Sequence, residues 1–353
     1  RFTKIIFTIV TILFNGCNQT HEAPYVPYEK YLGGNIRSFD MLNDTLFVAS
    51  EDEGIMIYGI NNTNNKISLD SIFLSNEVNI PVTLDISENS RSLIVLDDYN
   101  HTYIGKMDFF ATNSTLGSFD CDDYQRKSAF IDYPGPDKQI ELITPFRHKP
   151  TQNEVDPLAW NTSFLHRIRF DQDTYDFNVY SGDCADTLYK YLNYDVEDVY
   201  YNDEKLYVVN PQEDIYSVII FDHNLVNDNF NPIDTLILDS KPRTVKTDDN
   251  YIFIGLDNNG CYIKLLDTDS ANDSNFNIAP GYTIQDIQLS DNYITLSAGY
   301  GGSLIYKWDE PGIISDEDLL FLLSGIYAYK TVMHGNNIIV GTKDGLHIYE
   351  IER

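Results

Sequence analysis

Five polar or aromatic side chains occupy one equivalent position in a repeated segment and are candidates for binding a ligand. When the repeats are aligned on their first strands, this position holds Arg37, Glu197, Arg243, Gln285 and Tyr329. Guanidinium groups pair strongly with anions, so the two arginines could receive an anionic group of a ligand. The five residues could instead only solvate the rim of the fold, with the arginines paired to acids such as Glu197.

An insertion in the third repeat, at about 145–163, carries a further candidate for the same site. It contains Arg147, His148, Lys149 and Trp160. Long loops inside compact domains are often functional. A tryptophan beside basic residues can hold a carbohydrate, an aromatic ligand or a partner chain. Trp160 could equally fix the loop to the rest of the fold.

The sequence contains no motif for catalysis, for a metal or for a cofactor. The seven histidines are scattered, and His-Glu-x-x-His, Gly-x-Ser-x-Gly and a glycine-rich phosphate loop are all missing. Residues 267–278 begin like a calcium loop, but they have Asn272 and Ile278 where an EF-hand requires Gly and Glu. We therefore predict no catalytic residues, no metal and no cofactor.

Three aspartates recur one residue after the position on which the first strands are aligned. They are Asp40, Asp85 and Asp132. Polar groups inside a fold need hydrogen-bond partners. We expect these carboxylates to accept hydrogen bonds from backbone N–H groups or water rather than to perform acid–base chemistry.

A repeat that occurs seven times between Ile36 and the C-terminal end positions these candidate residues. Each copy has a short apolar strand, a polar turn, a second apolar strand, a tight turn that usually ends in Gly, and a third strand. The second strands begin about 45 residues apart, except for one longer spacing, at Leu46, Leu93, Ile140, Leu206, Ile252, Ile294 and Ile339. This period, with several strands in each copy, predicts a β-propeller.

We predict an all-β fold, a seven-bladed β-propeller of four-stranded antiparallel blades. Six blades is the alternative if the divergent third repeat, with its fourth strand expected at 175–182, is irregular. The seventh copy has no fourth strand, and an open sheet edge favours aggregation. We expect residues 28–34 (YEKYLGG) to supply that strand at the outer edge and to close the ring. The candidate ring then lies on the face that carries the loops between blades, which we call the entrance face.

The first residues have the pattern of a secretion signal. Arg1 and Lys4 flank the start of an apolar stretch from Ile5 to Phe14, which is too short to span a bilayer. The Asn-Gly-Cys that follows resembles the lipobox of bacterial lipoproteins, and this implies acylation of Cys17. An ordinary signal peptide that is cut elsewhere is the alternative.

The chain therefore divides into three parts. Residues 1–16 are the lipoprotein signal peptide, and residues 17–27 are the lipidated cysteine with a flexible tether. The tether is polar and carries prolines, which suits a linker. Residues 28–353 are the β-propeller.

The composition is strongly acidic, with 54 acidic and 24 basic residues and a net charge of −30. No basic stripe with interleaved aromatic residues is present, so we predict no nucleic acid partner. Anionic head groups would repel the chain, so its membrane contact would depend on the lipid on Cys17. We expect a monomer in the bacterial cell envelope, on the periplasmic or cell-surface side, with a protein or carbohydrate partner.

The other cysteines give weaker signals. Cys121 and Cys184 follow the predicted fourth strands of two neighbouring repeats, and in an oxidising compartment they could form a disulfide. Equivalent points on neighbouring blades could also lie too far apart for that bond. Cys261 opens a third strand, where we expect it to act as a small buried hydrophobe.

The segments 196–222 and 36–60 show the repeat most clearly. Asp198-Val199, the strand Leu206–Val209, Gly345-Leu346 and Asp222 form a pattern that resembles the LVIVD repeat of bacterial and archaeal surface propellers. The resemblance covers most of 28–353. It implies an extracytoplasmic propeller and adds little about activity.

Two classes of function remain open. The first is a non-catalytic lipoprotein that binds a partner protein or a glycan at the entrance face. The second is a propeller enzyme, such as a lactonase-like hydrolase or a polysaccharide lyase. Such an enzyme would gather histidines and acids around the channel, often with a metal. The aligned ring contains no histidine, so binding is the favoured hypothesis.

Overall fold

The structure, a computed structural model, consists of β-strands and one short 3-10 helix in the part that is described. The described residues are 26–31, 34–63, 66–75, 78, 80–87, 92–97, 101–106, 117–120, 124–125, 129–132, 139–147, 162–171, 186–193, 196–212, 215–224, 229–266, 275–290, 292–308 and 314–351. The helix is Asp316–Asp318. Within these ranges no helix is long and apolar enough to cross a membrane.

The described residues form seven antiparallel sheets, numbered here in chain order. A short strand, β1 (Glu29–Tyr31), comes first. Sheet 1 contains β2 (Ile36–Leu42), β3 (Thr45–Ser50), β4 (Gly54–Thr63) and β5 (Lys66–Ser75). Sheet 2 contains β6 (Pro81–Ser87), β7 (Ser92–Asp97), β8 (His101–Lys106) and β9 (Gly117–Asp120). Sheet 3 contains β10 (Tyr124–Gln125), β11 (Ala129–Asp132), β12 (Gln139–Arg147), β13 (Thr162–Asp171) and β14 (Asp186–Asn193). Sheet 4 contains β15 (Asp198–Asn202), β16 (Lys205–Gln212), β17 (Ile215–Asn224) and β18 (Asn229–Ile237).

The last three sheets follow the same plan. Sheet 5 contains β19 (Pro242–Thr247), β20 (Tyr251–Leu256), β21 (Cys261–Leu265) and β22 (Phe276–Ile278). Sheet 6 contains β23 (Asp286–Ser290), β24 (Tyr293–Ser297), β25 (Ser303–Lys307) and β26 (Leu319–Leu323). Sheet 7 contains β27 (Ala328–His334), β28 (Asn337–Thr342) and β29 (Gly345–Glu350) together with β1. Sheet 3 departs from the four-stranded plan, because β10 and β11 both pair with β12.

The sheets pack against one another through apolar side chains from both of their faces. One core cluster joins Phe47 and Ile55 of sheet 1 to Leu84 and Val95 of sheet 2. Every residue of β20 and of β28 is buried, including the polar Asn337 and Thr342 of β28. The first strands contact one another in chain order from β2 through β6, β11, β15, β19 and β23 to β27, and β27 contacts β2.

The strand β1 joins the last sheet to the first. It pairs antiparallel with β29. The outward N–H groups of β5, an edge strand of sheet 1, bond to two tyrosines of this segment: Tyr28 Oη accepts from Ile67 N at 2.9 Å, and Tyr31 Oη accepts from Leu69 N at 2.7 Å. Tyr28 Oη also donates to Asn337 Oδ1 of β28 at 2.7 Å. The N-terminal segment is therefore bonded to both sheets.

The fourth strand of sheet 3 is not where the sequence predicted it. The structure places it at Asp186–Asn193 rather than 175–182, where it pairs with Thr162–Arg167 of β13. The segment YDFNVYSG (175–182) alternates apolar and polar residues more regularly than DTLYKYLN (186–193), so the pattern alone favours the first segment. The shift also means that Cys184 precedes the fourth strand of sheet 3, whereas Cys121 follows that of sheet 2, so the two are not equivalent. Both cysteines lie outside the described residues, as do Cys17 and the signal peptide.

Candidate functional site

The starts of the first strands and the turns between the second and third strands lie together on the entrance face. In sheet 5, Arg243 near the start of β19 contacts Asp257 in the turn after β20. In sheet 1, Arg37 near the start of β2 contacts Glu51 in the turn after β3. Antiparallel pairing of the first two strands brings these positions to the same sheet end. The insertion predicted at about 145–163 overlaps the ends of two strands of sheet 3, because Arg147 ends β12 and pairs with Ser163 of β13. The residues between these strands, 148–161, which include Trp160, lie outside the described ranges.

Arg243 is held by carboxylates of its own and the neighbouring sheet. Its Nε and Nη2 donate to the two oxygens of Asp257 at 2.7 and 2.8 Å. Glu197 Oε1 lies 3.6 Å from Arg243 Nη1 and 3.4 Å from Lys241 Nζ. Hydrogen bonding to Asp257 raises the pKa of Arg243 further. Two cations and two carboxylates thus balance one another, which is the pairing that the sequence left open; a role in ligand binding stays a prediction.

Arg37 and Tyr329 meet through a second set of polar contacts. Arg37 forms an ion pair with Glu51, and Asn35 donates a hydrogen bond to the same carboxylate. Tyr329 Oη donates to Asn35 Oδ1 at 3.3 Å. The Nε of Arg37 is buried and has no hydrogen-bond partner among the described residues. The predicted ring therefore falls into two groups, one on sheets 4 and 5 and one on sheets 6, 7 and 1.

The second group extends into an aromatic surface that sequence reasoning missed. We call Tyr300, Tyr327, Tyr329 and Lys343 the tyrosine–lysine cluster. The ring centroids of Tyr300 and Tyr327 lie 4.7 Å apart at 89°, and those of Tyr327 and Tyr329 lie 4.6 Å apart at 56°. Lys343 Nζ lies 4.1 Å from the Tyr327 centroid and 2.9 Å from Tyr300 Oη. Gln285 joins it, because its Nε2 donates to Tyr327 Oη at 3.3 Å.

The backbone fixes this cluster where sheets 6 and 7 meet. Gly299 and Ala328 exchange two N–H···O bonds of 3.1 and 3.0 Å, an isolated bridge between the turn after β24 and the start of β27. The turn requires glycine at Gly302, which has φ +82° and packs against the carbonyl of Leu323. Tyr300 thus projects from a hydrogen-bonded turn with a defined geometry.

A second polar set lies on the first strands. We call Asp40, Asp85, Lys246 and Lys330 the first-strand charge cluster. Asp40 accepts a hydrogen bond from Met41 N at 2.9 Å, and Asp85 accepts one from Ile86 N at 3.0 Å. The expectation that these two aspartates bond to backbone donors is confirmed; the side chain of Asp132 is not described.

The charges of this cluster act on one another across four sheets. Burial and, to a smaller extent, the carboxylate of Asp40 together raise the pKa of Asp85 to about 6, and Lys246 and Lys330 oppose the shift. Lys246 Nζ lies 4.3 Å from the ring centroid of Tyr200 on β15. Burial also raises the pKa of Tyr200, with a contribution from Asp85. The two carboxylates and two ammonium groups of this cluster therefore influence one another electrostatically.

The residues of these two sets that sequence reasoning missed occupy defined positions in the repeat. Tyr300 and Lys343 lie in the second turns of copies six and seven, which end on the same face as the candidate ring. The aspartate position was read in three copies, but in the fourth and fifth copies it holds Tyr200 and Lys246. Extending the alignment to every copy and every turn would have grouped these residues.

Metal and thiol chemistry find little support in the described part of the chain. No group of three or more His, Cys, Asp or Glu side chains there is placed to hold a metal ion. Cys261 is fully buried, and burial raises the pKa of its thiol. The prediction that Cys261 acts as a small buried hydrophobe is confirmed.

Comparison with known proteins identifies the fold and no more. No protein-family model matches the chain, and no curated protein matches it. The crystal structure of the computationally designed Ika8 protein is similar, with a TM-score of 0.54 and 9% identity over 93% of this chain and 99% of that chain. Sqt1 of Saccharomyces cerevisiae is similar with a TM-score of 0.56 and 7% identity over 94% and 99%. The chain thus has a β-propeller-like all-β fold.

Proposed function

We propose that this protein is a lipid-anchored protein of the bacterial cell envelope whose non-catalytic β-propeller binds a glycan or a partner protein at the entrance face. The tyrosine–lysine cluster carries the proposal. It presents an 82% exposed Tyr300 on the face where two predicted residues, Gln285 and Tyr329, also lie. Aromatic side chains with a polar tip are enriched where proteins meet their ligands.

The proposed architecture is a seven-bladed propeller closed by the N-terminal strand, as the repeats predict. Two observations support it: the successive contacts of the first strands from β2 to β27 and back to β2, and the pairing of β1 with β29. A core cluster that joins Ile36 and Leu46 of sheet 1 to Ile339 and Leu346 of sheet 7 agrees with this closure. The resemblance to LVIVD-repeat propellers points to an extracytoplasmic location.

Removing the Tyr300 ring is expected to abolish ligand binding while leaving the fold intact. The test compares three proteins, wild type, Tyr300→Ala and Ile72→Ala, for binding to immobilised neutral and acidic polysaccharides and to envelope proteins. Ile72 is the matched control, because it is 60% exposed on the outer strand β5. Loss of binding in Tyr300→Ala alone supports the entrance face; equal binding by both variants contradicts it. Release of shortened products from any bound polymer would favour the enzyme hypothesis instead.

The proposed anchor makes a separate prediction. Wild-type protein expressed with its own N-terminal segment is expected to partition into the detergent phase, and Cys17→Ser is expected to stay in the aqueous phase, because several acyl chains on one residue give firm membrane attachment. Phase partitioning followed by immunoblotting measures this. Equal partitioning of the two proteins would contradict lipidation at Cys17.

A further inference from the structure

The ring of Tyr300 is held in place and at the same time exposed to solvent. Its backbone belongs to a turn closed by Gly301 N→Ala298 O and Gly302 N→Gly299 O bonds of 2.8 and 3.0 Å. Its hydroxyl accepts a hydrogen bond from Lys343, and its ring packs edge-on against Tyr327. Among the large exposed hydrophobic side chains of the described residues, it is the one aromatic. A ligand that stacks on this ring meets a surface that needs little ordering, so little affinity is lost to conformational entropy.

The ammonium group of Lys343 gives the cluster a positive charge. No carboxylate of the described residues lies within 4.0 Å of it, whereas the neighbouring Asp344 pairs with Lys30 and with His347. The hydrogen bond to Tyr300 raises the pKa of Lys343, so the ammonium is charged at neutral pH. An ammonium has three donors, and Tyr300 uses one of them. In a chain of net charge −30, this exposed cation has free donors directly beside an exposed ring.

The remaining groups of the cluster are hydroxyls and amides. Gln285 donates to the Tyr327 hydroxyl, and the Tyr329 hydroxyl donates to Asn35. A sugar ring offers C–H faces that stack on an aromatic ring and hydroxyls that bond to such groups. The groups around the 82% exposed ring are hydroxyls, an amide and an ammonium, whereas the core of a protein–protein interface is mostly apolar. The composition of the cluster therefore favours a glycan.

We infer that the tyrosine–lysine cluster binds a glycan that carries uronic acid residues, with a sugar ring stacked on Tyr300 and its carboxylate bound by Lys343. The inference rests on the proposed function, because it names the ligand class of the same face. A charge-assisted bond between an ammonium and a carboxylate is stronger than a neutral one. It also makes the affinity depend on salt, since exposed charges are screened.

Matched polymers test the carboxylate directly. Polygalacturonate, alginate and hyaluronate would each be compared with a carboxyl-reduced preparation of the same polymer, using isothermal titration calorimetry. We expect wild type to bind at least one acidic polymer about 3- to 10-fold more tightly than its reduced form, a preference that falls as salt is raised. Lys343→Gln should lose this preference, and Lys343→Arg should keep it. Tyr300→Ala should lose binding to both forms, and Tyr300→Phe should retain most of it.

The outcomes separate this inference from the proposed function. Equal affinity for acidic and reduced polymers, or an unchanged preference in Lys343→Gln, overturns the uronate assignment while binding at the entrance face survives. If wild type binds only neutral glycans or only a protein, and Tyr300→Ala loses that binding, the uronate assignment is likewise overturned while binding at the entrance face survives. Binding that is indifferent to Tyr300 overturns both. Lys343 is exposed at the turn, so unchanged melting temperatures would confirm that the substitutions leave the fold intact.

Discussion

A truncated protein that begins at residue 35 is expected to aggregate or to remain unfolded. Truncated proteins that begin at residue 18 and at residue 26 should instead fold and have the same melting temperature. The longest deletion removes β1, so β29 becomes an open edge and β5 loses two hydrogen-bond acceptors. We expect a loss of about 5 kcal/mol or more, comparable to the whole stability of many domains. Unpaired strand edges also promote aggregation. Thermal unfolding and size-exclusion chromatography of the three soluble proteins measure the effect.

Substitutions at the two tyrosines test the same junction without removing the strand. Tyr28→Phe removes the acceptor for Ile67 N and the donor to Asn337, and Tyr31→Phe removes the acceptor for Leu69 N. Each change should lower the free energy of unfolding by about 1 kcal/mol. If the protein that begins at residue 35 melted like the one that begins at residue 26, the N-terminal strand would not close the last sheet, and the proposed ring would need another closure.

The sequence predicted the strands because each copy of the repeat carries its own pattern. The second strands were predicted at positions such as Leu46, Ile252 and Ile339, which lie in β3, β20 and β28. Buried residues such as Phe39, Val245 and Ile287 occupy the aligned position of the first strands and are fully inaccessible to solvent. Local alternation of apolar residues was sufficient here, because each strand pairs with its neighbour in the chain.

The rest depended on pairing and on contacts between sheets. The fourth strand of sheet 3 pairs with β13 through a register that contains two irregularities, and a pattern of apolar and polar residues does not encode such a register. The tyrosine–lysine cluster joins a turn of sheet 6 to a turn and a strand of sheet 7, and no single repeat contains it. Likewise, the carboxylates that neutralise Arg37 and Arg243 are 14 residues further along the chain, in the second turns. The sequence suggested Glu197 as a partner of the arginines, which Arg243 contacts, but it did not indicate the carboxylates of the second turns.

Asp85→Asn is expected to stabilise the protein at neutral pH and to have little effect near pH 4. The pKa of Asp85 is raised from 3.8 to about 6 in the folded protein, chiefly by burial. Between these two values the folded state binds more protons than the unfolded state, so the free energy of unfolding falls as the pH rises through this window. Above pH 6 the ionised carboxylate carries the full cost, roughly 1–3 kcal/mol for a shift of this size. The amide that replaces the carboxylate retains an oxygen to accept the bond from Ile86 N.

Substitutions at two neighbouring charged residues should shift the pKa of Asp85 in opposite directions, which a simple packing effect would not reproduce. Asp40→Asn removes a negative charge near Asp85, so it should lower the pKa of Asp85. At pH 7.5, Asp85→Asn should then raise the free energy of unfolding by less in the Asp40→Asn background than in wild type. Lys330→Met removes a positive charge, so it should raise that pKa, and in this background Asp85→Asn should raise the free energy of unfolding by more than in wild type. Chemical denaturation from pH 4 to pH 8, with and without Asp85→Asn in each background, measures the free energies of unfolding. A pH-independent difference between wild type and Asp85→Asn, or a loss of stability in Asp85→Asn at pH 7.5, would show that the ionised carboxylate is well stabilised where it lies. The first-strand charge cluster would then be a set of matched ion pairs rather than a site where buried charge is tolerated at a cost in stability.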